Sequence, residues 1–438
     1  MTRFVLTLFL TVATLTCGQS AHAANRWVGG GGNNNNSGIG FNNRWATVTF
    51  ALSRLEPGDT LTIANGSYDL QAEGATNGVA AVRRQNGGRV DGWTDRWTII
   101  RAQDPRQVFI RGNIDVEGSF IRFEDLRIFG DLANIQPGLF FRDSHHIDVI
   151  NNEIAYCGGG GINFNHCDSI RVISNQTHHN GHRNPDQHSG ISVYQPISQV
   201  EPEGRYWRIE IRRNSSYDNM NLVPTQPNSQ LTTAGNLTDG NGIILDDYHY
   251  TQTAFLGNRA DGVDEYPHQT LVEGNICNYN GGSGVQVFEA NLVTVKNNTC
   301  IANVRHVFNS NGDFLNRGQV SLQNANDCHV LNNVLQSRFV AEAPGNSPFA
   351  ASESNGFGNF WQNNLLHSTV SFDALWNNAN IDFNVFYVDP QFRNEQAFDY
   401  TSIAGENDGV RWDNHTYTDL NGTVVGGNQS VDLGALQN

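Results

Sequence analysis

One short phrase keeps returning along this chain: hydrophobic, any, hydrophobic, hydrophobic, any, Asn. It reads Ile147-Asp148-Val149-Ile150-Asn151-Asn152, then Ile170-Arg171-Val172-Ile173-Ser174-Asn175, with looser copies ending at Asn214, Asn275, Asn298, Asn333 and Asn364. The shortest spacing is 23 residues, from Asn152 to Asn175 and from Asn275 to Asn298. A second phrase precedes each first one: Gly, apolar, any, apolar, any. Its copies start at Gly138, Gly161, Gly190, Gly242 and Gly284, with a shifted copy at Gly318. Period-two alternation inside such a repeat means short strands with one buried face. Units that cannot bury that face alone must stack.

The predicted architecture is therefore all-β: a right-handed parallel β-helix of roughly ten coils, each about 4.8 Å above the last. Larger spacings read as a coil plus an inserted loop. Asn at a fixed turn position suits a residue that tolerates the left-handed conformation, and stacked copies can form a side-chain ladder. A β-propeller, the competing repeat fold, needs about 40–45 residues per blade. Helical spacing is nearly absent; Trp45–Leu55 is the one candidate helix, an N-terminal cap before the turn Pro57-Gly58-Asp59.

Composition agrees. At 438 residues and 38% hydrophobic, with 16% charged, the chain can bury a large core and is not of disordered composition. Its 45 glycines lack the three-residue period of collagen. A net charge of −16 argues against a general nucleic-acid partner. Residues 1–23 carry Arg3, an apolar run and Ala21-His22-Ala23, the pattern of a cleaved secretory signal. The expected organisation is a signal peptide at 1–23 and one β-helix domain at 24–438. Within it, 24–70 form the cap and first coil, and 361–438 the C-terminal coils and cap. The expected location is secreted or periplasmic, with no membrane span. Of five cysteines after the signal, Cys277 and Cys300 each lie two residues past a ladder Asn. Both should stack inward as free thiols.

The opening, from Trp27-Val28 to Gly66-Ser67-Tyr68, the repeats, and the end, with Asp389-Pro390-Gln391-Phe392 and Asp432-Leu433-Gly434-Ala435-Leu436, resemble the pectin-lyase-like family of right-handed β-helix proteins. The resemblance implies a carbohydrate-active role. It leaves the reaction open, because lyases, glycosidases, epimerases and tailspikes share the scaffold. Some related lyases use a lysine base. Here Lys296 is the only lysine and lies in a ladder strand, so that route is closed.

Aligning the second phrase across coils turns sequence into surface columns. One outward column holds Arg142, Asn165, Tyr194, Asp246, Phe288 and Gln323. The next, at the strand ends, holds Asp143, His166, Gln195, Asp247, Glu289 and Asn324. Long insertions flank the strands at Tyr194 and Asp246 and are expected to wall a cleft. His188, Tyr194, Asp246, Asp247 and Arg183 are the candidate catalytic residues. His or Tyr would carry protons, and Arg142, Arg183, Arg205 or Arg259 would pair a substrate carboxylate. Arg142, Asn165, His166, Gln195, Arg259 and Phe288 are the candidate substrate contacts. Asp246, Asp247 and Glu289 could hold Ca²⁺; no organic cofactor is expected. The expected function is a polysaccharide lyase cleaving a uronate-containing glycan by β-elimination. The alternatives are a glycoside hydrolase using Asp246, Asp247 or Asp239 as its carboxylate pair, or a non-catalytic glycan-binding β-helix.

Overall fold

The structure is a computed structural model that describes residues 23–83, 89–92, 95–199, 206–225, 235–252, 265–338 and 349–369, with short segments beyond. Three parallel sheets of 11, 10 and 10 strands run its length, and from Thr60–Ile63 onward successive strands fall in successive sheets. This is the right-handed parallel β-helix that the repeats predict. One coil shows the pattern. Ile162–Asn165 lies in the third sheet, Asp168–Ile173 in the first and Gln176–His178 in the second. The next coil begins at Ile191–Tyr194, paired in register with Ile162–Asn165.

Alternation decides which side chains enter the core. Ile162, Phe164, Ile191, Val193, Ile243 and Leu245 are fully buried. Phe141 and Phe164 stack at 5.0 Å between ring centroids, and Phe123 meets Phe141 edge-on at 5.6 Å. Each such side chain contributes about 1.5–3 kcal/mol by leaving water.

The Asn ladder sits at the corner between the first and second sheets. Asn175 Oδ1 accepts from the Asn152 backbone N–H at 2.9 Å, and the same bond repeats from Asn175 through Asn214, Asn275, Asn298 and Asn333 to Asn364. Each amide also donates back, as Asn175 Nδ2 does to Val149 O at 2.8 Å. The conformational expectation needs correction. The left-handed residue is the one before each ladder Asn: Asn151 (φ 54°), Ser174 (φ 59°) and Asn297 (φ 55°). The ladder Asn is there for its amide, which satisfies backbone groups the corner would leave buried and unpaired.

A second ladder, unread in the sequence, lines the corner before the third sheet. It runs Asn180, Asn219, Asn280 and Asn303, and ends on Gln319 Oε1. It also explains the glycine of the second phrase. A Cβ on Gly242 would stand 3.0 Å from Asn280 Nδ2 and 2.6 Å from Gly284 O, so the ladder amide needs that space.

The expected cap helix over Trp45–Leu55 is only the five-residue helix Val48–Leu52, N-capped by Thr47. Thr47 starts it, and Pro57-Gly58 follows too closely for a longer one. All five described cysteines are buried and free, and Cys277 sits in register with Cys300. Among the described residues no helix is long and apolar enough to cross a membrane. The proposed signal segment, Arg205, Arg259 and most of the C-terminal cap lie outside the described residues.

Candidate functional site

The outward column exists as aligned. Arg142 pairs with Asn165, Asn165 with Tyr194, Tyr194 with Asp246, Asp246 with Phe288 and Phe288 with Gln323. These side chains leave the third sheet on one face.

Two insertions wall the N-terminal side of that face. Gln187 ties them together: its Oε1 accepts from the Thr238 N–H at 2.9 Å and its Nε2 donates to Val223 O at 2.8 Å. Arg317 completes this wall by donating to Thr238 O and, at 2.6 Å, to Gln286 Oε1. The opposite side is anchored on buried Asp168, which accepts from Arg208 at 2.9 Å and from the Tyr266 hydroxyl at 2.7 Å.

The strand-end column is a different object from the face column. Asp143, His166, Gln195, Asp247, Glu289 and Asn324 all adopt positive φ. They turn the corner, and their side chains bond along it. His166 reaches Asp143 and Gln195 at 3.2 Å each, and Gln195 Nε2 donates to Asp247 Oδ2 at 2.6 Å. Asp247 also accepts from the backbone N–H groups of Thr251 (2.6 Å) and Gln252 (3.0 Å). Asp247 thus fixes the turn that follows it, with both oxygens engaged. Glu289 accepts from Thr251, Gln252 and Asn324.

Asp246 is the carboxyl that faces the cleft. Among the described residues it accepts a hydrogen bond from Gln252 Nε2 at 2.9 Å. Burial pushes its pKa well above the usual carboxylate range, and the neighbouring charges of Asp239 and Asp247 push the same way. Burial also drives Asp239 up, to about 6, against the pull of Arg317. Burial lowers the pKa of Arg317, and Asp239 and Asp246 oppose it. Two half-buried carboxyls and one buried guanidinium therefore act on one another. Tyr194, beside Asp246, is held protonated by burial and by the charges of Asp246, Asp247 and Glu289.

His188 lies in the N-terminal wall, where Gly160 N donates to its Nδ1 at 3.2 Å. That bond places the neutral ring's proton on Nε2, and burial lowers its pKa to about 4. A ring in this state donates a hydrogen bond; it has no free nitrogen with which to abstract a proton. The expected arginine contacts also fall elsewhere. Arg142 pairs with Asp115, two coils from Tyr194, with Glu117 at 3.7 Å. Arg183 is exposed and donates to Leu132 O at 3.2 Å. Asn165 and Phe288 remain on the face, half-buried. Lys296 is buried in the first sheet, 3.2 Å from Glu273.

The described donors do not fit Ca²⁺. It takes about six to eight oxygens, whereas Asp247 and Glu289 are engaged by protein donors and Asp246 shares its site with Arg317. Among the described residues no group of three or more His, Cys, Asp or Glu is placed to hold a metal ion.

Sequence reading missed Arg317, Gln286, Asn163 and Ser192. The last three occupy the other outward position of the glycine phrase and were legible there. Arg317 carried no motif.

No family model matches the chain, and no curated protein matches it. Among solved structures it is similar to a GH136 lacto-N-biosidase from Eubacterium ramulus, at 13% identity and TM-score 0.43 over 78% of this chain and 56% of that one. It is also similar to pectate lyase Pel9A, at 14% identity and TM-score 0.42 over 95% and 97% of the two chains. A third similar structure is the PL6 alginate lyase AlyGC, at 15% identity and TM-score 0.40 over 86% and 53%. The chain spans about half the length of the first and third of these. The architecture itself stands on the three parallel sheets.

Proposed function

We propose that the protein is a secreted, carbohydrate-active enzyme that hydrolyses glycosidic bonds with Asp239 and Asp246. The observation that carries this reading is a pair of carboxyls whose pKa values burial raises, with the Asp239 charge adding to the rise at Asp246 and Arg317 favouring ionisation of Asp239. Hydrolysis needs that asymmetry: one carboxylic acid to protonate the leaving oxygen, one carboxylate to act as base or nucleophile.

Asp246, whose pKa burial and the Asp239 charge raise well above the usual carboxylate range, takes the acid role. Asp239 ionises near pH 6 beside Arg317 and takes the other. Tyr194 stays protonated and orients the sugar as a hydrogen-bond donor, and His188 donates through Nε2. The reading routes no step through a metal. β-Elimination, the reaction expected from sequence, asks for a base at C5 and a cation on the uronate carboxylate. Neither His188 nor Lys296 is set up as that base, and Arg142 is already paired.

The test is a glycan panel assayed for reducing ends and for the ultraviolet absorbance of an unsaturated uronate, with and without EDTA. We expect reducing ends without that absorbance, unchanged by EDTA. Asp239→Asn and Asp246→Asn should each lower kcat by about 10²–10⁴-fold. Unsaturated products would establish the lyase reading instead.

A further inference from the structure

We infer that Gln252 is a positioning residue for Asp246: its side-chain amide fixes which oxygen of that carboxyl carries the proton given to the leaving group. The inference rests on the hydrolase reading and adds the residue that sets up its acid.

Asp246 ends the strand Ile243–Asp246. Ile243 and Leu245 enter the core, so alternation sends the Asp246 carboxyl outward. Gln252 reaches that carboxyl from the turn that follows. Its Nε2 donates to Asp246 Oδ1 at 2.9 Å and to Glu289 Oε2 at 3.3 Å. An amide NH2 offers two donors, so one amide bridges both carboxyls and its orientation is fixed by both. Glu289 is oriented in turn by the Thr251 hydroxyl at 2.5 Å and by Asn324 Nδ2 at 3.3 Å.

The backbone carries the amide to this place. Gln252 N donates to Asp247 Oδ2 at 3.0 Å and Thr251 N to Asp247 Oδ1 at 2.6 Å. Asp247 is held by Gln195 Nε2 at 2.6 Å, and Gln195 Oε1 meets His166 Nε2 at 3.2 Å. The strand-end column, which turns the corner, thus delivers one side-chain donor to the face column.

A protonated carboxyl has one O–H and one carbonyl oxygen. Gln252 donates to Oδ1, and among the described residues no donor meets Oδ2. Oδ1 is then the carbonyl oxygen, and the proton sits on Oδ2. As the glycosidic C–O bond breaks, its electron pair goes to the leaving oxygen. That oxygen takes the Oδ2 proton and leaves Asp246 a carboxylate. The Gln252 donor stabilises the charge that Asp246 acquires. Tyr194, Asp239, Asp247, Glu289 and Arg317 are the other titratable groups around Asp246. Those act on it through charge; Gln252 acts through a directed bond.

The experiment uses the full chain and Gln252→Met, which keeps the side chain's length and the backbone bond to Asp247 but removes the donor. Each oligosaccharide cleaved in the glycan panel is compared with its nitrophenyl glycoside. The sugar leaving group needs the proton, whereas nitrophenolate departs with little help. We expect Gln252→Met to lower kcat by about tenfold or more on the oligosaccharide and by less than about threefold on the nitrophenyl glycoside. The descending limb of the kcat/KM–pH profile should move to higher pH, because a donor to ionised Asp246 is gone. Equal losses on both substrates, as a collapsed turn would give, overturn the inference and leave the hydrolase reading standing. So does loss on neither, or a limb that stays fixed. Unsaturated products, or no cleavage in the panel, overturn the hydrolase reading and the inference with it.

Discussion

At the scale of single residues, the central fact is that Asp246 and Asp247, adjacent in sequence, do different work. Asp247 adopts φ 53° and spends its oxygens on Gln195, Thr251 and Gln252. Asp246 faces the cleft with Asp239 and Arg317. The sequence placed both at a strand end but not the corner between them, because backbone φ at one residue leaves no periodic mark. Arg317 was illegible for a related reason: it reaches Thr238 from 79 positions away. Its role has a direct readout. Because Arg317 favours ionised Asp239, Arg317→Met should move the rising limb of the kcat/KM–pH profile to higher pH, and Arg317→Lys should move it back; a limb that stays fixed refutes the assignment. Asp246 makes a stability prediction of opposite character. Its folded pKa lies above the unfolded value of about 3.9, so ionisation costs stability as pH rises from there towards the folded pKa. Asp246→Asn should therefore melt at higher temperature than the parent near pH 7. Near pH 3 the two should melt alike, as thermal scans at both pH values will show.

At the scale of elements, each coil is defined by its corners. The first ladder was legible because its Asn closes a hydrophobic phrase. The second was hidden, although Asn180, Asn219, Asn280 and Asn303 each fall five residues after a first-ladder Asn. The four-residue spacers share no pattern, ranging from Gln176-Thr177-His178-His179 to Thr299-Cys300-Ile301-Ala302, so no constant phrase announces the second ladder. Asn275 is a fair test of what a rung is worth. Its Oδ1 accepts from Asn214 N at 2.8 Å, and its Nδ2 donates to Ile211 O and Asn298 Oδ1 at 2.9 Å each. Asn275→Ala strands buried groups on both neighbouring coils and should cost about 2–4 kcal/mol. Urea denaturation will measure it; a loss below about 0.5 kcal/mol would make the ladder ornamental rather than structural.

At the scale of the whole molecule, stacking makes distant positions neighbours. Asn165, Tyr194, Asp246 and Phe288 span more than a hundred residues and form one line across four coils. That line followed from the repeat alone, because a coil slipped by one residue would turn its apolar set out to solvent. What the repeat does not fix is where insertions between coils send their side chains, and Asp239, His188 and Arg317 all come from such segments. Their meeting over the third sheet is the basis of the account, and it specifies where the oxygen of the new reducing end originates. Turnover in water enriched with heavy oxygen, read by mass spectrometry of the products, tests this directly. Hydrolysis by Asp239 and Asp246 predicts one heavy oxygen at each new reducing end, lost together with activity in Asp246→Asn. Cleaved products that carry no label and gain a double bond would contradict it.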